Sequence, residues 1–229
     1  MANIPIRWEN SAQGKRARPN PYVVKVIAHL RSVAAAGARF SRLHVADQGC
    51  GKLRHFPIFR RSFHRIVLVD TRLQITRKQL IGGEKTTILR YVAKADSGGN
   101  RYCVVSSGEF GRSQLGLDVI FCICVFDVVP RSFRASIVKA AASNLRTGGY
   151  YCVIIPRNDQ SITSRCHQEI THEDGYLFKR NSAATFYANF SADSSQFAHL
   201  SDSLRKAGFI TVSDISVYRH ACMICKKVS

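Results

Sequence analysis

The chain has 229 residues, 45% hydrophobic and 21% charged, a balance that suits one soluble globular domain with a full core. No run reaches the roughly 18 consecutive apolar residues of a membrane-spanning helix, and the opening MANIPIRWEN has no apolar signal core, so the expectation is a cytoplasmic protein without a membrane span. Thirty-four Lys and Arg against fifteen Asp and Glu give a net charge of +19, which makes a polyanion, nucleic acid first, the expected partner.

The charge is uneven. Residues 1–65 hold thirteen basic and two acidic side chains. Residues 1–21 read as a basic arm, with Lys15, Arg16 and Arg18 as phosphate candidates. The eight cysteines have no small-scaffold spacing and read as reduced thiols. Cys222-x-x-Cys225 lacks the second pair that a structural zinc site needs, so no metal is expected.

From Tyr22 to Ala36 the apolar positions Val23, Val26, Ile27, Leu30 and Val33 recur at helical spacing, and Gly37 ends the pattern. A short strand follows at Leu43–Ala46, then the turn VADQGCGKL (Val45–Leu53). RIVLVD (Arg65–Asp70) and RYCVVS (Arg101–Ser106) are further strands. LDVIFCICVF (Leu117–Phe126) is apolar nearly throughout, as a central parallel strand is. Arg131–Leu145 is helical in pattern and is stopped by RTGG, after which YYCVIIP (Tyr150–Pro156) is a fifth strand.

Residues 157–195 are the least regular and read as a substrate-side insertion. A helix at Phe197–Phe209 precedes two strands, ITVSDISVY and HACMICKK, separated by Arg219 alone. Strands joined so tightly pair antiparallel, because a parallel crossover needs about a dozen residues. The alternation predicts an α/β fold over 22–229, a doubly wound Rossmann-like sheet of seven strands with an antiparallel last strand and helices on both faces.

In such sheets ligands sit beyond the carboxyl ends of the strands. Those ends carry Asp47, Gly49, Cys50 and Gly51, then Asp70 with Thr71, then Ser106, then Cys124, Phe126 and Asp127. A dinucleotide fingerprint requires glycine at position 54, which is Arg54. A P-loop requires Gly-Lys-Ser/Thr, which is missing.

The order VADQGCGKL, IVLVD, LDVIFCICVFDVVP, LRTGGYYCVIIP, LRKAGF and a terminal hairpin resembles the class I S-adenosylmethionine-dependent methyltransferases over residues 40–229. The resemblance implies S-adenosylmethionine as cofactor. Gly49 and Gly51 would line its methionine end, Asp47 would hold its amino group and Asp70 its ribose. Ser106 or Ser107 would stand near the adenine. The third loop glycine of that family aligns with Leu53.

The reaction implied is direct displacement of the methyl group by a substrate nucleophile, for which positioning does most of the work. Asp127 is the candidate polar group beside the reacting atoms; capping of the helix near Pro130 is its other reading.

The segment KLRHFPIFRRSFHR (Lys52–Arg65) contains five Lys or Arg, three Phe and no acid. Lys52, Arg54, Arg60 and Arg61 are phosphate candidates, and Phe56, Phe59 and Phe63 either stack bases or pack inward. FDVVP stands where exocyclic-amine methyltransferases carry Asn/Asp-Pro-Pro-aromatic, so that chemistry is not expected. Asn20-Pro21-Tyr22 imitates the motif but precedes the cofactor loop, and reads as a helix start whose Tyr22 could cover the cofactor.

The leading reading is methyl transfer to DNA or RNA. A small-molecule or protein acceptor, and a non-catalytic module that binds cofactor and nucleic acid, stay open beside it.

Overall fold

The computed structural model describes residues 19–33, 40–96, 99–157, 169–172, 175–180, 183–188, 190, 195–216 and 220–229. Lys15, Arg16 and Arg18 lie outside the described residues, as does the expected helix end at 34–36.

Helix α1 (Tyr22–Val33) leads into β1 (His44–Gln48), α2 (Phe56–Ser62), β2 (Arg65–Asp70) and α3 (Arg72–Thr76). A small hairpin, β3 (Gln79–Ile81) and β4 (Glu84–Thr86), precedes α4 (Ile88–Ala95). Then come β5 (Tyr102–Ser106), α5 (Ser107–Phe110), β6 (Leu117–Ile123), α6 (Arg131–Asn144) and β7 (Leu145–Pro156). After β8 (Glu169–His172), β9 (Gly175–Arg180) and β10 (Ala183–Ala188), the chain ends with α7 (Ser195–Lys206), β11 (Phe209–Asp214) and β12 (His220–Lys227).

The main sheet has seven strands in the order β11-β12-β7-β6-β1-β2-β5. β5, β2, β1, β6 and β7 are parallel, and β12 runs antiparallel to both β7 and β11. β2 and β5 lie to one side of β1, and β6 and β7 to the other. The winding therefore reverses between β1 and β6, where a crevice opens at the carboxyl ends.

Alternate residues of each strand feed two cores. On one face Val45, Phe121 and Ile154 meet Val26 and Leu30 of α1, Phe59 of α2 and Val92 of α4. On the other, Ala46, Ile120 and Val153 meet Val138 of α6 and Leu200 and Leu204 of α7. Phe56, Phe59 and Phe63 are all at most 2% exposed, and Phe59 lies 4.8 Å from the Phe121 ring. Each such burial stabilises the fold by about 1.5–3 kcal/mol. These rings are core and do not stack bases.

Three local expectations are corrected. RTGG ends α6 but does not delay the strand, because β7 starts at Leu145 and absorbs the glycines with a register shift opposite Leu117/Val119. β11 ends at Asp214, where the carboxylate accepts the Ser216 amide at 2.8 Å and turns the chain, and the expected strand end at 217–218 lies outside the described residues. Within 157–195, β8, β9 and β10 form an antiparallel three-stranded sheet. Among the described residues no helix is long and apolar enough to cross a membrane.

Candidate active site at the carboxyl edge of the sheet

β1 ends in a turn bound to its neighbour. The Gly49 and Cys50 amides both donate to the Val69 carbonyl of β2, at 2.8 and 3.0 Å. Gly49, Gly51 and Leu53 have φ of 84°, 55° and 59°. Leu53 thus occupies the left-handed region at the position where the resembling family has its third glycine. Its side chain is only 3% exposed, so burial offsets the roughly 1–2 kcal/mol that this backbone costs a non-glycine residue.

Asp70, at the end of β2, fastens the turn. Its Oδ2 accepts the Gly51 amide at 2.7 Å and its Oδ1 accepts the Thr71 amide at 2.8 Å. Thr71 caps α3 by accepting the Gln74 amide, and the Gln74 side chain donates to the Gly51 carbonyl at 2.8 Å.

Beside this turn opens a cavity of about 610 Å³. Gly49, Gly51, Asp70 and Thr71 line one end, and Ser107, Gly108, Phe110 and Arg112 form the wall beyond β5. Cys124, Val125, Asp127 and Val128 follow β6. The far wall is apolar, from Val129, Phe133, Ile137 and Ala140, with Tyr187 of β10. β10 is joined to this site by the Ala188 amide, which donates to the Asp127 carbonyl at 2.7 Å.

Asp127 is 6% exposed and its Oδ1 has no hydrogen-bond partner. Burial pushes its pKa up to about 7, against the lowering effects of a backbone hydrogen bond and the Arg134 and Arg54 charges. It does not cap α6: Pro130 holds the N-cap position with no side-chain bond there. The buried Arg134 braces the same loop from behind, donating to the Val129 carbonyl at 3.1 Å and to the Gln196 side chain, and stacking over Phe190.

Cys124 also takes a left-handed φ, 54°. Burial first, and then the Asp127 charge, raises its thiol to about 12, so it stays protonated and is no nucleophile at neutral pH. Its Sγ accepts from the Asn20 side chain at 3.7 Å. The Asn20 amide donates at 3.2 Å to His55, which burial and the Arg54 charge hold neutral, with a pKa of about 3. Asn20, not Tyr22, thus reaches the edge of the site; Tyr22 packs on His220 with ring centres 4.6 Å apart.

Not every residue expected here lines the cavity. Asp47 is fully buried, and neither carboxylate oxygen has a partner. Burial, and then the Asp70 charge, push its pKa up to about 8, with Arg54 opposing. Cys50 and Phe126, at 1% and 0% exposure, belong to the two cores. Ser106 is engaged in a reciprocal capping box with Glu109, and its neighbours Ser107 and Gly108 face the cavity. Among the expected basic residues Arg54 lines it, with an Nε that has no hydrogen-bond partner, whereas Lys52, Arg60 and Arg61 do not. Arg112, Phe133, Ile137 and Tyr187 were not foreseen.

The Asp47 environment predicts a pH effect. The folded pKa lies above the unfolded value of about 3.9, so the folded state binds the extra proton between those values. Stability then falls as pH rises from about 4 to about 8. Asp47→Asn should flatten that fall and raise the thermal midpoint at pH 8; equal slopes for both proteins across pH 5–8 would contradict it.

No family model matches the chain. The uncharacterized protein YmfD of Escherichia coli (strain K12) is 28% identical over 188 residues, 82% of this chain and 79% of that protein. Magnesium protoporphyrin IX methyltransferase from Synechocystis PCC 6803, solved with bound S-adenosylhomocysteine, superposes with a TM-score of 0.55 at 14% identity, covering 90% of this chain and 81% of that one. The chain has the class I S-adenosylmethionine-dependent methyltransferase fold. The same fold is shared by Burkholderia thailandensis 1,6-didemethyltoxoflavin-N1-methyltransferase, solved with 1,6-didemethyltoxoflavin and S-adenosylhomocysteine, with a TM-score of 0.56, 16% identity and coverage of 95% and 94%. In this fold the crevice beside β1 is the place where Gly49, Gly51 and Asp70 converge.

Proposed function

We propose that the chain is an S-adenosylmethionine-dependent methyltransferase whose acceptor is a small, largely apolar molecule. The observation that carries this reading is a cavity with a polar, glycine-turned end at β1 and β2 and an apolar end against α6 and Tyr187. Its volume, about 610 Å³, falls within the range of roughly 300–1,000 Å³ typical of small-molecule sites. The solved neighbours named for porphyrin and toxoflavin methylation support a small acceptor by analogy of fold.

The residues fit the cofactor. The positive φ of Gly49 and Gly51 lets the backbone turn beside a ligand without a Cβ in the way. Asp70 lines the cavity with a carboxylate, the kind of acceptor that a ribose diol needs. Ser107, Gly108 and Phe110 offer a flat, partly apolar wall for the adenine. When bound, S-adenosylmethionine supplies a methyl group on a sulfonium sulfur, ready for transfer to a nucleophile.

The chain's own contribution is orientation, exclusion of water and one proton site. The apolar wall seats the acceptor, and Asp127 Oδ1 takes the proton that the acceptor's oxygen or nitrogen loses as its new bond to carbon forms. With a pKa near 7, Asp127 is ionised enough to act yet basic enough to hold the proton. Asp127→Asn should lower kcat about 100-fold or more, remove the rise in rate across pH 6–8, and leave S-adenosylhomocysteine affinity within about twofold. A retained pH profile would remove Asp127 from the proton step.

A nucleic-acid acceptor, which the charge of +19 favours, has less support at this site, since Arg60 and Arg61 line a different cleft. Incubation with methyl-labelled S-adenosylmethionine and a size-fractionated extract separates the two. Label in the small-molecule fraction is expected; label in nucleic acid alone, or in no fraction, would contradict the proposal.

A further inference from the structure

A second cleft, of about 650 Å³, lies at the opposite edge of the sheet. Arg42, Arg60, Arg61, Arg65 and Arg101 line it, and among the described residues no Asp or Glu does. Topology puts them there. His44 and Arg65 are the paired first residues of β1 and β2, and Arg101 immediately precedes β5. α2 starts near the carboxyl end of β1 and must return to the amino end of parallel β2. Its last turn therefore delivers Arg60 and Arg61 to the amino edge while Arg54, before the helix, stays at the cavity.

Three of the five guanidinium groups, those of Arg60, Arg65 and Arg101, are held in place by contacts that are not to carboxylates. Arg60 and Arg101 both stack over the Tyr102 ring, at 5.6 and 5.3 Å, and Arg60 also lies over Phe56. Arg101 Nε donates to the His64 carbonyl at 3.2 Å, and an Arg65 nitrogen lies 3.4 Å from His44 Nε2. Bringing five like charges together is unfavourable unless an anion joins them, and arginine forks match phosphate oxygens two at a time.

We infer that this amino-edge cleft binds the phosphate backbone of a nucleic-acid strand, separately from the methyl-transfer cavity. The nucleic acid is then a docking partner and not the methyl acceptor. The cleft is concave, which suits a strand better than a flat bilayer. None of the exposed large hydrophobic side chains lines it, so it has nothing to insert among lipid tails. Phe63 in its wall is 2% exposed and Tyr102 is covered by guanidiniums. Bases thus find no stacking platform there, and recognition is of phosphates and indifferent to sequence.

Fluorescence anisotropy with a labelled 20-nucleotide oligo-dT tests the inference on the full chain. If about four phosphates are neutralised, log K should fall against log salt with a slope of about −3. Arg60→Glu/Arg61→Glu should weaken binding at least tenfold at 50 mM salt, and Arg42→Ala/Arg65→Ala, removing two phosphate contacts, should reduce the slope by about 1.4. Thermal midpoints check that both variants fold, and neither readout depends on cofactor binding, so failure of the methyltransferase reading would leave the result standing. Unchanged affinity in both folded variants would overturn the inference. So would binding to phosphatidylserine vesicles with none to oligo-dT.

Discussion

Gly49→Ala should abolish measurable S-adenosylhomocysteine binding. A Cβ at Gly49 would stand 2.3 Å from Val125 Cγ2, well inside van der Waals contact, and its φ of +84° is strained for any residue with a side chain. The turn cannot give way freely, because the Gly49 and Cys50 amides are both bonded to Val69. Val125 is β-branched and stiff at χ1, and the only room it has is the cavity that it lines, where the cofactor would lie. The added methyl is therefore expected to displace the two strand-end loops relative to each other, at the point where the cofactor would lie. Calorimetry should show no heat of binding for Gly49→Ala. Partial recovery in Gly49→Ala/Val125→Ala would identify the clash as the cause, and wild-type affinity in the single variant would contradict the site.

Asp70→Ala should weaken S-adenosylhomocysteine at least about 100-fold. Two effects combine. The variant loses the carboxylate that accepts the Gly51 and Thr71 amides, and hydrogen bonds to a charged group contribute about 1.5–3 kcal/mol each. It also loses the acceptor proposed for the ribose hydroxyls. Asp70→Asn keeps one oxygen and should fall between the two. Equal affinities for Asp70→Ala and the wild type would show that the carboxylate serves only the turn.

Much of the sheet was legible because buried parallel strands are continuous apolar runs. RIVLVD matches β2 residue for residue, whereas LDVIFCICVF overruns β6, which starts at Leu117 but ends at Ile123, before the left-handed Cys124. The antiparallel β12 followed from a connection too short for a crossover. The short helices were not legible. α2, α3 and α5 have seven, five and four residues, too few turns for a periodic pattern. Their signals were local, such as Pro57 in the first turn of α2 and the Ser106–Glu109 box.

The site was legible where it sits on backbone geometry. A glycine pair and a strand-end acid place Gly49, Gly51 and Asp70 without knowledge of side-chain direction. Residues one position away were not distinguishable. Phe126 points into a core while its neighbours Val125 and Asp127 line the cavity, and Ser106 caps a helix while Ser107 faces the ligand space. The apolar wall comes from α6 and β10, far from the turn in sequence, and carries no motif. The basic segment misled for a topological reason. α2 runs back from the carboxyl toward the amino ends of the strands, so Arg54 and Arg60, six positions apart, line different clefts.

The most direct test of the account is a calorimetric titration of S-adenosylhomocysteine into the wild-type protein. One-to-one binding in the micromolar range is expected, and Gly49→Ala and Asp70→Ala should both lose it while remaining folded. No binding by the wild type, or binding that both variants retain in full, would contradict it.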